Sequence, residues 1–116
     1  MERQWRFERE EMDQASFYKC NLTAAEFVEI NLTQVRFSRV NLCLAEIGDA
    51  NLSGAQFDDV NLSGAQFHNI NLAGSRFDSV NLAGVTIESA NIHGLTILGY
   101  DIHALIDAER RRESGD

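Results

Sequence analysis

Large apolar residues recur at every fifth position along almost the whole chain. The series runs Phe7, Met12, Phe17, Leu22, Phe27, Leu32, Phe37, Leu42, Ile47 and Leu52. It continues through Phe57, Leu62, Phe67, Leu72, Phe77, Leu82, Ile87, Ile92, Ile97 and Ile102. All twenty are large and apolar although hydrophobic residues make up only 44% of the chain, so the period is not an accident of composition. A second, smaller column lies two residues before each centre, and there only Glu10 and Ser75 are polar in an otherwise apolar run. The columns compensate in volume: Ala25, Ala55 and Ala65 precede phenylalanines, whereas Ile30, Val40, Val60, Ile70 and Val80 precede leucines. The other positions of each five are mostly polar or small and are expected to face water.

A period of five suits no helix, because residues two and five apart drift around a 3.6-residue turn. Simple strand alternation fails too, since the pattern restarts at each fifth residue. The physical solution is a short extended step followed by a corner, wound into a solenoid. Stretches such as Ala50-Asn51-Leu52-Ser53-Gly54 and Val60-Asn61-Leu62-Ser63-Gly64 carry the signature most clearly. In these the chain resembles the pentapeptide-repeat family, from about Trp5 to Tyr100. The resemblance implies an all-β fold: a right-handed, four-sided β-helix of about five coils, with a short C-terminal helix. At ~4.8 Å between neighbouring strands, five coils make a rod roughly 24 Å long.

The expected division is a β-helix over residues 1–100, its first coil irregular at Glu10, then a capping helix and disordered tail over 101–116. Trp5 and Phe7 are expected to plug the first opening. Asp101 reads as an N-cap, and Arg110, Arg111 and Arg112 suit a helix C-terminus. Ile102, Leu105 and Ile106 form an apolar stripe that either lids the last coil or, as relatives in the family do, pairs with a second copy.

Composition changes the picture less. The net charge of −8 and the lack of a basic stripe argue against direct nucleic-acid binding. No apolar run approaches the ~20 residues of a membrane helix, and the charged N-terminus is unlike a secretory signal, so a cytoplasmic protein is expected. Absence of proline fits a winding that uses backbone N–H groups for coil-to-coil pairing.

Four fives per coil put residues twenty apart on one side. The face centred on Phe7, Phe27, Ile47, Phe67 and Ile87 gathers Glu8, Glu26, Glu29, Glu46, Asp49 and Glu88, interrupted by Arg6, Arg9 and His68. This is the candidate partner-binding face. The face of Phe17, Phe37, Phe57 and Phe77 is mixed, with Lys19, Arg36, Arg39 and Arg76 among Asp58, Asp59 and Asp78. The two leucine faces are nearly uncharged, and their Asn columns read as local hydrogen bonding to backbone in stacked turns.

No catalytic, metal or cofactor site is expected. His68, His93 and His103 fall on three different faces, which keeps them from converging on a metal. Cys20 is expected inside and Cys43 outside, which disfavours a disulfide. The acidic face lacks a cleft to exclude water or shift pKa values. Two functions follow: a non-enzymatic, rigid scaffold for an unidentified protein partner, and, from the resemblance, a mimic of DNA acting on DNA gyrase or topoisomerase IV. Duplex DNA would carry about 14 charges over such a rod, about half of them on one side. Six carboxylates offset by two arginines match that poorly. A consensus-like designed solenoid has the same regularity.

Overall fold

In the computed structural model, described over residues 5–115, every repeat centre from Phe7 to Ile97 is followed two residues later by a residue with positive φ. That single left-handed residue is the corner of each five. Around leucine centres it closes a turn: Ala25, Ala45, Ala55 and Ala65 donate their N–H groups to the carbonyls of Leu22, Leu42, Leu52 and Leu62 at 2.9–3.0 Å. Such i-to-i+3 turns with positive φ at their third residue are type II and favour glycine there, as at Gly54 and Gly64, both with φ of 71°.

Between the turns run short strands: β1 (Arg6–Glu8), β2 (Ser16–Tyr18), β3 (Glu26–Val28), β4 (Arg36–Ser38) and β5 (Glu46–Asn51). They continue as β6 (Gln56–Asn61), β7 (Gln66–Asn71), β8 (Arg76–Asn81), β9 (Thr86–Asn91), β10 (Thr96–Ile97) and β11 (Tyr100–Asp101). Strands β1-β3-β5-β7-β9 form one parallel sheet, and β2-β4-β6-β8-β10 a second. Partners lie twenty residues apart throughout these parallel ladders, as in Phe7↔Phe27 and Phe57↔Phe77. The result is a β-solenoid of about five coils with four fives in each.

Inside, side chains stack coil on coil. Phe17, Phe37 and Phe57 lie nearly parallel, their centroids 5.0 and 5.1 Å apart, and Phe27 meets Phe37 edge-on at 6.1 Å. Offset and T-shaped contacts suit the ring quadrupoles. The centres Leu22, Phe27, Leu32, Phe37, Leu42, Ile47, Leu52, Phe57, Leu62, Phe67, Leu72 and Phe77 are all buried, whereas Phe17 and Leu82, nearer the ends, are only partly so. Ser75, the polar residue in the small column, is fully buried and donates its hydroxyl to the Leu72 carbonyl at 2.7 Å.

Both ends differ from expectation. The first coil is not distorted at Glu10: β1 and β2 hold register with β3 and β4, and Asn31 N–H donates to the Glu10 carbonyl at 3.0 Å. Glu10 is tolerated because, in an end coil, its carboxylate reaches water. Trp5 stacks over Phe7 at 6.4 Å but stays 39% exposed.

At the other end the chain does not close over the last coil. Leu98 and Gly99, both with positive φ, reverse it so that β11 pairs antiparallel with β10. The helix α1 (Ile102–Glu113) starts from that reversed strand, with Asp101 capping Ala104 N–H at 3.1 Å. Ile102 packs against the core, but Leu105 and Ile106 remain 55% and 38% exposed, and no residue of α1 is buried. The lid is therefore open, and Ile87, Ile92 and Ile97 are only partly covered. The helix continues through Glu113; of the expected disordered tail, Asp116 lies outside the described residues, as do residues 1–4.

Candidate interaction surfaces

The strand register brings the six acidic candidates onto one sheet, but not as a free row of negative charge. Arg6 pairs with Glu8 and Glu26, both at 2.9 Å, and Arg9 with Glu8 at 3.4 Å and Glu29 at 3.1 Å. The hydrogen bond and charge of Arg6 hold the Glu8 carboxyl below its ordinary range, and Glu8 in turn raises Arg6. Asp49 accepts a hydrogen bond from Asn69 Nδ2 at 2.6 Å. Only Glu46 and Glu88 lack a side-chain partner among the described residues, and His68 stands beside Glu88 in the ladder. Gly48 gives the His68 ring its room, since a Cβ there would collide with it. Half of the acidic candidates are thus ion-paired, three carboxylates sharing two arginines.

The second sheet carries a patch that composition did not reveal. Tyr18 is 56% exposed, with Lys19 Nζ 5.2 Å and Arg39 Cζ 6.0 Å from its ring centroid. Arg36 lies on the same face in β4, whereas further along Arg76 is paired with Asp78 at 3.5 Å. Cation–π contact holds two of these cations over an aromatic rather than against carboxylates. The sequence signal was present in Tyr18-Lys19 and Arg39, twenty residues from Lys19, but it was diluted by the acidic total.

The Asn columns do what stacked turns require. At Asn21, Asn31, Asn41, Asn51, Asn61, Asn71, Asn81 and Asn91, Oδ1 accepts the backbone N–H two residues on, at 2.9–3.1 Å. Their side chains are spent on the fold. Cys20 and Cys43 are both free and half-buried, and Cys20 packs against the core as expected of an inward residue, whereas Cys43 is not part of it. Cys43 Sγ accepts from Ser63 Oγ at 3.4 Å.

The histidines require a correction. They do arise on different faces, yet the reversal at Leu98 and Gly99 brings His103 back onto His93, with ring centroids 4.2 Å apart. Among the described residues, no three His, Cys, Asp or Glu side chains already form a metal set. No helix among them is long and apolar enough to cross a membrane.

The profile of the pentapeptide repeat region matches residues 10–87, more than half of the chain. No curated protein sequence matches. Among solved structures, HetL, a pentapeptide repeat protein involved in heterocyst differentiation regulation in the cyanobacterium Nostoc sp. strain PCC 7120, is similar with a TM-score of 0.60 at 19% identity. That match covers 83% of this chain and 48% of HetL, so the chain spans about half of HetL's length. Rfr23 from the cyanobacterium Cyanothece 51142 aligns at TM-score 0.39 and 22% identity, over 81% of this chain and 85% of its own. QnrB1, a plasmid-mediated fluoroquinolone resistance protein, aligns at only 0.26 and 14%, over 92% and 95%. At these identities the likeness bears on fold alone.

Proposed function

The chain belongs to the pentapeptide-repeat family, and from that premise we propose that it is a non-enzymatic scaffold whose rigid faces hold a protein partner. The observation that carries this reading is the fixed register of its two sheets. Side chains twenty residues apart are locked one strand spacing from each other, so each face presents a fixed array of charge. An array of that kind suits recognition of a surface of matching shape and charge. Catalysis would need a cleft that excludes water, and Glu29, Glu46, Asp49 and Glu88 stand exposed to solvent.

A pull-down from cell extract tests the proposal. The whole chain captures one protein partner, and either Glu46→Lys with Glu88→Lys or Arg36→Glu with Arg39→Glu abolishes capture, according to the face used. Capture that survives both double variants overturns it.

The narrower reading, a DNA mimic acting on gyrase or topoisomerase IV, is supported less. It requires Glu8, Glu26 and Glu29 to present net charge, and Arg6 and Arg9 offset them. It predicts inhibition or protection of gyrase in a supercoiling assay, weakened by Glu26→Gln, Glu29→Gln and Glu46→Gln together; no effect at micromolar protein removes it. For the exposed C-terminal stripe we propose a second copy as occupant. Leu105→Asp with Ile106→Asp then converts a dimer to monomer in sedimentation, and a wild-type monomer overturns the pairing.

A further inference from the structure

His93 and His103 sit where two rigid elements meet. His93 follows Asn91 and Ile92 in a turn of the last coil, where its own N–H is held by Asn91 Oδ1 at 3.1 Å. His103 is in the first turn of α1, fixed by the Asp101 cap. The rings are tilted 30° at 4.2 Å, and no ring nitrogen of either makes a hydrogen bond to another described residue. They line a groove of about 410 Å³ between the last coil and the helix, together with Asn91, Ile106, Asp107 and Arg110.

We propose that His93 and His103 form a two-imidazole site for a borderline divalent cation, and that the bound ion clasps α1 to the last coil. Neutral imidazole supplies one lone pair from each ring, a donor set that suits Cu²⁺, Ni²⁺ and Zn²⁺. Copper binds tightest in the Irving–Williams order. Asp107 lies four residues after His103, on the same side of the helix, and lines the same groove. Its carboxylate is now held by Arg111 at 3.0 Å, so it serves as a third donor only on leaving that pair. Water fills the other positions. Arg110 is the opposing charge in the groove, which makes the site one of modest affinity.

The clasp answers a structural need. Without it α1 is joined to the rod chiefly through β11 and Ile102, and the last coil stays open. A metal bridge between turn and helix would restrain both, and the stabilisation would grow with free metal by linkage.

Calorimetric titration of the full chain with Cu²⁺, Ni²⁺ or Zn²⁺ at neutral pH tests the site. Thermal melting followed by far-UV circular dichroism tests the clasp. One ion binds per chain with micromolar affinity. Binding is lost in His93→Ala and in His103→Ala, kept in His68→Ala, weakened in Asp107→Asn and strengthened in Arg110→Gln. Metal raises the melting temperature of the wild type and not of His103→Ala. His93 is exposed and His103 half-buried, and an unchanged metal-free spectrum shows that each variant folds. Absence of saturable binding, or binding that survives either single histidine substitution, overturns the proposal.

Discussion

The leucine corners and the phenylalanine corners turn the chain through the same backbone state but are held differently. At leucine corners a type II turn closes on itself and an Asn side chain caps the backbone beside it, as Asn61 does for Ser63 N–H at 3.0 Å. At both kinds of corner the left-handed residue donates to the neighbouring coil, as Gly64 N–H does to the Ala83 carbonyl at 2.8 Å and Arg39 N–H to the Asp58 carbonyl at 3.1 Å, but the phenylalanine corners lack the closing turn and the Asn cap. From Gly54 onward the leucine corners use glycine, while the phenylalanine corners keep Asp59, Asn69, Ser79 and Ser89. Charge divides along the same line: every ion pair of the described solenoid lies on a phenylalanine face. Leucine faces thus add local turn chemistry to their coil-to-coil pairing, whereas phenylalanine faces rest on ring stacking and coil-to-coil pairing. Loss of one ring should therefore propagate further than loss of one turn.

The largest effect tests that claim. Phe57 is 1% exposed and stacks between Phe37 and Phe77. Phe57→Ala should cost about 3–5 kcal/mol, measured by urea denaturation, because the ring and the cavity it leaves both count. A loss of similar size from a turn substitution would break the contrast. The next effect compares the corners directly. Gly64→Ala forces a Cβ into left-handed backbone at about 1–2 kcal/mol, and that Cβ would lie 2.7 Å from Leu44 Cδ2. Ser79→Ala, in the same backbone state at an exposed phenylalanine corner, should stay within ~0.5 kcal/mol. Equal losses at the two positions would mean that the corners are interchangeable.

These differences also explain what could be read from the residues alone. The solenoid, its coil count, the inward columns and the role of the Asn ladders were legible, because each is repeated many times over and one physical constraint sets them all. The ends were not legible, since a repeat carries no information about its own termination. Glu10 looked like a fault only against an interior standard that an end coil does not meet. The open C-terminal end depends on two successive positive-φ residues, Leu98 and Gly99, where the repeat supplies only one. That one extra residue sends β11 back along β10 and brings His103 to His93. The spacing of twenty puts the acidic residues along one sheet, as the strand register has them. That two arginines offset this charge was legible too; which carboxylates they hold, Glu26 and Glu29 on the neighbouring strand, was not.

Smaller effects sharpen the division between local and electrostatic support. Asn61→Ala removes the acceptor for Ser63 N–H and should cost about 1 kcal/mol, equally at pH 7 and at pH 4, since no titrating group takes part. A pH-dependent loss there would tie the leucine corners to the charges.

The weakest expected effect belongs to Arg6. Because Arg6 lowers the Glu8 pKa, the unfolded chain takes up its proton first as the solution is acidified. The pair's contribution is therefore complete above the ordinary glutamate value of 4.5 and is lost as pH falls through the lower folded value. Both groups are open to solvent, so screening keeps that contribution small. Arg6→Gln should lower neutral-pH stability slightly, leave stability at the acid end unchanged and so flatten the acid limb, by chemical denaturation at low ionic strength. An acid limb that is unaltered in Arg6→Gln would place the proton-linked stability elsewhere, and the phenylalanine faces would then rest on stacking and backbone pairing alone.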